Sequence, residues 1–212
     1  MKVSRNFLKV HKQFVFPELW YAIERCMALS PGKRVLLLSG GHYEYAVALI
    51  KSGFQLSILT PSEEAKLFLE KRLLKRRLSA EIFVGNPKNL PFSDSSFDGV
   101  IALSCLEYYS LHSSIVQEVK RVLAVEGKVL FCNLKPISFW AMKTFSSQLS
   151  PYYSMDKYST FSEPYFRSLL KGLKLHIDEE SDCFHFLPFP VFGTAVPFVS
   201  GAKLYFVERK PD

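Results

Sequence analysis

The stretch NLPFSDSSFDGVIALSCL, residues 89–106, decides how this chain folds. Asp94 and Ser95 favour a turn, because short polar side chains can bond their own backbone there. Phe97 is placed to pack beneath the loop before it, and Asp98 sits where the chain enters a strand. Residues 99–103 then form a continuous apolar run of strand length. Such a run suits a strand buried on both faces, the usual state of an interior strand in a parallel sheet.

On either side the same kind of strand recurs, separated by helices. Residues 35–38 are a short apolar run stopped by Ser39, Gly40 and Gly41, residues 55–59 a second strand, residues 81–84 a third, and residues 128–133 a fifth. Between them, helical patterns occupy residues 17–29, where Trp20, Ile23 and Met27 share a stripe, and residues 42–51. Another helix begins at Pro61, Ser62, Glu63 and Glu64, with acids in its first turn. Residues 113–123 put Ile115, Val116, Val119 and Leu123 on one helical face. Strand and helix alternating in this way require crossover connections, hence a doubly wound, mostly parallel sheet. A helix over residues 163–171 and strands over residues 173–177 and 202–208 follow, and an antiparallel pair at the sheet edge is expected there.

At 212 residues the chain fits a single domain with one sizeable core. Residues 1–30 are expected as an N-terminal helical segment, and residues 135–165 and 184–200 as a substrate-side cap and loop. The net charge of +7 permits acidic partners, and its densest run is Lys71, Arg72, Lys75, Arg76 and Arg77. Those charges lie among Ala65, Phe68 and Leu69 at helical spacing and read as a solvated helix face, so no nucleic acid is expected. Cys26, Cys105, Cys132 and Cys183 are scattered, without metal-ligand spacing, and read as buried free thiols in a reducing compartment. The first residues have no signal-peptide core and no run of about 18 apolar residues occurs, so a cytoplasmic protein without a membrane span is expected.

The segment 89–106 resembles the LPF-x-D-x-SFD-x-V segment of the small-molecule methyltransferases that include the ubiquinone and menaquinone biosynthetic enzymes. Residues 118–131, EVKRVLAVEGKVLF, resemble the helix-turn-strand E-x-x-RVL-x-x-GG-x-L of that family at the right distance downstream. Residues 201–211, GAKLYFVERKP, are similar to its final strand and ARKP tail. The resemblance spans residues 30–211 and implies a class I, S-adenosylmethionine-dependent methyltransferase with a Rossmann-like, seven-stranded, mostly parallel sheet.

It also implies where the cofactor is held. The glycine loop after the first strand corresponds to Ser39, Gly40 and Gly41, with Leu37 in place of an acid and Ser39 and Tyr43 in place of glycines. Thr60 stands where an acid takes the ribose hydroxyls, with Glu63 one helical turn on as the lesser alternative. Asn86 stands where an acid accepts the adenine amino group, and Pro87 where a backbone N–H meets an adenine ring nitrogen. Proline has no N–H to give. Leu90 and Ser104 complete the implied cofactor side, and no metal is implied.

Methyl transfer from a sulfonium needs alignment and a dry pocket more than covalent help. Glu107, Tyr108, Tyr109 and His42 are the candidates for direct participation, with a pocket-lining role the more frequent fate of such residues. His112, His176 and His185 show no partner in the sequence and receive no role. The run FHFLPFPVFGTAVPFV, residues 184–199, is aromatic and broken by Pro188, Pro190 and Pro197. It reads as a cover over the core, a wall for an apolar or aromatic substrate, or a peripheral contact with a membrane surface. The expected function is methyl transfer to a small, hydrophobic or aromatic acceptor. The alternative is a catalytically inactive binding or scaffolding protein that has lost cofactor binding.

Overall fold

Arg34–Leu38 (β1), Gln55–Thr60 (β2), Glu81–Val84 (β3), Phe97–Leu103 (β4), Leu123–Leu134 (β5), Leu175–Phe186 (β6) and Val199–Arg209 (β7) form one seven-stranded sheet. Its order is β3-β2-β1-β4-β5-β7-β6, in a computed structural model that describes residues 17–38, 43–103, 105–106, 112–134, 161–186 and 199–211. Strands β1 to β5 pair in parallel, and β7 runs antiparallel between β5 and β6. The expected doubly wound, mostly parallel sheet with an antiparallel edge is the observed one.

The strand side chains alternate between two cores, as strand geometry requires. Val35 and Leu37 of β1 and Ile101 and Leu103 of β4 face the first core. Helices Pro17–Ala28 (α1), Tyr43–Lys51 (α2) and Glu63–Leu74 (α3) cover it. Leu36, Leu38, Val100 and Ala102 face the second core, which helices His112–Val122 (α4) and Glu163–Gly172 (α5) cover. Helix α3 begins as its sequence predicts, with the Ser62 hydroxyl accepting from the Ala65 N–H and Glu63 and Glu64 in the first turn. Its basic end is a surface feature: Arg76 pairs with Glu44 at 3.6 Å, and the Arg72 guanidinium lies 4.9 Å from the Phe68 ring centre.

Two boundaries differ from expectation. Leu123, expected on the helix, starts β5 by pairing with Phe97, and the next pair is Gly99 with Lys128. Residues 124–127 therefore bulge between two ladder contacts, with Glu126 at φ 62°. Strand β6 also runs well past residue 177. Its acidic residues hide the alternation from a sequence reader, but each meets a cation contributed from elsewhere. Arg25 of α1 binds Glu179 at 2.8 Å, Arg167 of α5 binds Glu180 at 2.7 Å, and Lys203 of β7 lies 3.5 Å from Asp182. The ends of the aromatic run belong to this hairpin, to Phe186 on β6 and from Val199 on β7. The rest of that run, and residues 135–160 of the cap expected over residues 135–165, lie outside the described residues. Residues 163–165 form the first turn of α5.

Candidate active site

Strand order reverses between β1 and β4, and in an open α/β sheet a ligand crevice lies outside the carboxyl ends of the strands at such a point. The ends that frame it are Leu38, Thr60, Val84 and Leu103. Ser39, Gly40, Gly41, His42, Ser104, Glu107, Tyr108 and Tyr109 follow β1 and β4 and lie outside the described residues. Thr60, Asn86, Pro87 and Leu90 are described.

Thr60 ends β2 and is 1% exposed. Its hydroxyl lies 3.2 Å from the Phe83 carbonyl and 3.3 Å from the Ser62 carbonyl, so its hydrogen is directed into the β2–β3 junction. Glu63 is exposed on the first turn of α3. Asn86 is exposed, and its side-chain oxygen accepts from the Lys88 N–H at 3.0 Å, a turn that asparagine forms readily. Pro87, next to it, is buried. Leu37, where the family carries an acid, is packed into the first core.

The loop carrying these residues is held by a side-chain clamp. Arg121 of α4 donates to the Leu90 carbonyl at 3.0 Å, the Phe92 carbonyl at 2.8 Å and the Asp94 carboxylate at 2.8 Å. Glu118, one turn earlier, accepts from the Leu90 N–H at 2.7 Å and binds Arg121. The Arg121 guanidinium and the Leu90 N–H hold the Glu118 carboxyl below the usual carboxylate range. Arg209 of β7 reaches the Ser95 hydroxyl and the carbonyls of Lys120 and Leu123. Phe92 of the loop meets Phe83 and Phe97 edge to face, each at 4.9 Å between ring centres, and Phe97 packs under the loop as expected. The three stretches that carry the family resemblance thus meet in space. Glu118, Arg121 and Arg209 were quoted in those stretches without a role, because the partners are backbone groups that no sequence pattern displays.

At the other end of α4, at the carboxyl edge, lies an aromatic corner. His112 is buried on the same helical stripe as Ile115, Val116 and Val119, and its ring centre lies 4.7 Å from that of Phe161 and 6.0 Å from that of Tyr165. Phe166 links Phe161, at 5.3 Å, to Phe131 on β5, at 5.2 Å. Burial, aided by the charge of Lys88, pushes the His112 imidazole below its ordinary pKa and favours the neutral form. The sequence had left His112 without a role. Only the tertiary packing brings Phe161 and Tyr165 to it.

Among the described residues no group of three or more His, Cys, Asp and Glu could hold a metal ion, and no helix is long and apolar enough to cross a membrane. The four cysteines are free and buried, and burial pushes the Cys26 thiol up to about 12.

The family model for a methyltransferase domain matches residues 37–131, a span that runs from the end of β1 through β4 and takes in Glu118, Arg121 and most of β5. Over that span the chain is similar to S-adenosylmethionine-dependent methyltransferases. A phthiotriol/phenolphthiotriol dimycocerosates methyltransferase of Mycobacterium ulcerans is 37% identical over 111 residues, covering 50% of this chain and 39% of that protein. The demethylmenaquinone methyltransferase of Thermotoga maritima is 29% identical over 132 residues, covering 62% of this chain and 55% of that protein. The matched stretches therefore span well under two thirds of both relatives. A crystal structure of a Thermotoga maritima S-adenosylmethionine-dependent methyltransferase, described as a possible histamine N-methyltransferase, superposes with a TM-score of 0.65 at 19% identity. It covers 97% of this chain and 94% of that one, a likeness of fold.

Proposed function

We propose that this methyltransferase domain transfers a methyl group from S-adenosylmethionine to a small, hydrophobic or aromatic acceptor. The observation that carries the acceptor class is the corner of Phe161, Phe166, Tyr165 and His112 at the carboxyl edge, beside the crevice. Flat apolar walls with few polar groups suit an aromatic or alkyl ligand and hold water away from a reactive sulfonium.

The loop after β3 supports a nucleoside reading at the adenine end. Asn86 presents an exposed carboxamide on a loop fixed by Glu118 and Arg121, above buried Pro87 and Leu90. By the family resemblance, Asn86, Pro87, Leu90 and Thr60 hold the nucleoside, and Ser39, Gly40, Gly41 and Ser104 the remainder. When bound, the cofactor supplies an electrophilic methyl group on sulfur. The protein's own contribution is positioning: a rigid loop on one side and a dry aromatic wall on the other.

A second reading, a binding protein without turnover, draws on Thr60 and Pro87. The Thr60 hydroxyl is directed inward, and Pro87 lacks the N–H expected to meet adenine. Losing one such contact costs on the order of 1–3 kcal/mol. Isothermal calorimetry with S-adenosylhomocysteine separates the two readings. The first predicts saturable binding in the micromolar range, and absence of binding at millimolar ligand would sink it. Transfer of labelled methyl from S-adenosylmethionine to a panel of phenols, quinols and aliphatic alcohols then tests the acceptor class.

A further inference from the structure

We propose that His112 and Asn133 form a subsite for the hydroxyl group of an aromatic or apolar ligand, at the carboxyl end of the β4–β5 pair. The inference deepens the acceptor reading above and rests on it.

Both side chains are buried, His112 at 8% exposure and Asn133 at 4%. Neither His112 Nε2 nor either polar atom of the Asn133 carboxamide has a hydrogen-bond partner among the described residues. Three such atoms in one region are unusual, because buried polar groups are nearly always paired and an orphan carries its whole desolvation penalty.

The two residues lie on the same side of the sheet. Along β5, Val129 and Phe131 point into the second core and Leu130 and Cys132 into the first, so alternation turns Asn133 to the second core as well. Helix α4 packs on that same core through Ile115, Val116 and Val119, and His112 shares their stripe. Both lie at the carboxyl edge: His112 is the first residue of α4, and Asn133 is the last but one of β5. The Phe131–Phe166–Phe161 chain of rings runs from β5 to His112 and makes that side of the sheet apolar.

The chemistry of the pair selects a neutral hydroxyl. A carboxamide offers a donor and an acceptor, and a neutral imidazole nitrogen offers one or the other according to its tautomer. A hydroxyl donates once and accepts twice, so it satisfies both side chains without bringing charge into an apolar pocket. Burial keeps the imidazole neutral, the form that can accept the hydroxyl proton in a hydrogen bond.

The test is a fluorine NMR titration of para-fluorophenol and its near-isostere para-fluorotoluene into native protein, His112→Gln and Asn133→Leu. Native protein should prefer the phenol by about five- to tenfold, the span of one buried hydrogen bond. Asn133→Leu should bring that ratio close to one while keeping its affinity for the toluene, and its thermal midpoint should not fall. His112→Gln, which keeps a polar group, should retain part of the preference. Equal affinity for the two probes in native protein overturns the proposal. So does a preference that survives Asn133→Leu unchanged, as it would if the pair merely held structural water. Tighter binding of para-fluorobenzoate than of the phenol also overturns it, since that selects a carboxylate. The titration needs no cofactor, so failure to bind S-adenosylhomocysteine leaves its outcome independent.

Discussion

Helix α4 joins two regions built on opposite principles. At its C-terminal end Glu118 and Arg121 are saturated: every charged group has a partner, and the partners are the backbone of Leu90 and Phe92, the Asp94 carboxylate and each other. At its N-terminal end His112 is more deeply buried, yet its Nε2 has no partner among the described residues. A saturated network stabilises one loop geometry, while open polar atoms give up stability and leave hydrogen-bonding capacity for something that arrives later. On this comparison the clamp belongs to the scaffold and the corner to the ligand.

Breaking the saturated end should have the largest effect. Arg121→Ala removes the donors to two carbonyls and leaves Glu118 without its cation, so we expect a loss of about 2–4 kcal/mol in urea unfolding. A loss under about 1 kcal/mol would mean that the clamp is a surface ornament.

Gly32→Ala probes a second saturated junction. A Cβ at Gly32 would lie 2.3 Å from Asp98 Oδ2, which accepts from the Arg34 N–H and side chain at 3.0 and 3.1 Å. Displacing that carboxylate should cost about 1–3 kcal/mol, again read by urea unfolding.

Asn133→Leu should act in the opposite sense at the open end. Replacing an unpaired buried carboxamide with an apolar side chain of similar size is expected to leave stability unchanged or raise it by about 1 kcal/mol in thermal unfolding. Clear destabilisation would show that Asn133 is already satisfied and would erase the contrast.

The smallest effect should be on pH dependence. The imidazole of His112 titrates below its ordinary 6.5, so beneath that pH the unfolded chain binds more protons than the folded one. This group's share of stability is present above about pH 6.5 and is lost as pH falls. Lys88, which repels the imidazolium, and Tyr165 face it from the neighbouring loop and helix. Native protein should lose more stability between neutral pH and pH 5 than His112→Gln does, measured by unfolding at both pH values.

Much of the fold was legible because its signals are local. Continuous apolar runs such as Val100–Ile101–Ala102 announce strands buried on both faces, and Ser62 with Glu63 and Glu64 announces a helix start. The clamp was half legible: its stretches could be quoted, but the donors in them act on carbonyls that every residue possesses. The long β6 strand was illegible because Glu179, Glu180 and Asp182 find their cations on α1, α5 and β7. The corner was illegible for a similar reason. Nothing near His112 in sequence hints at Phe161, some fifty residues away, or at Asn133 on the adjacent strand.

By itself, then, the sequence determined the order of the strands and helices, the strand-to-helix turns, and which stretches lie at the carboxyl edge, because apolar periodicity and turn chemistry act over a few residues. The tertiary structure decided which polar groups are already used and which stay open. Thr60 and Asn86 had been placed in the crevice by resemblance; the folded chain directs the hydroxyl of one inward and engages the oxygen of the other in a turn. His112 and Asn133 had no assigned part, and the folded chain buries both without a hydrogen-bond partner for His112 Nε2 or the Asn133 carboxamide among the described residues. A hydrogen bond is a relation between two groups, and only the fold says whether the second group is there.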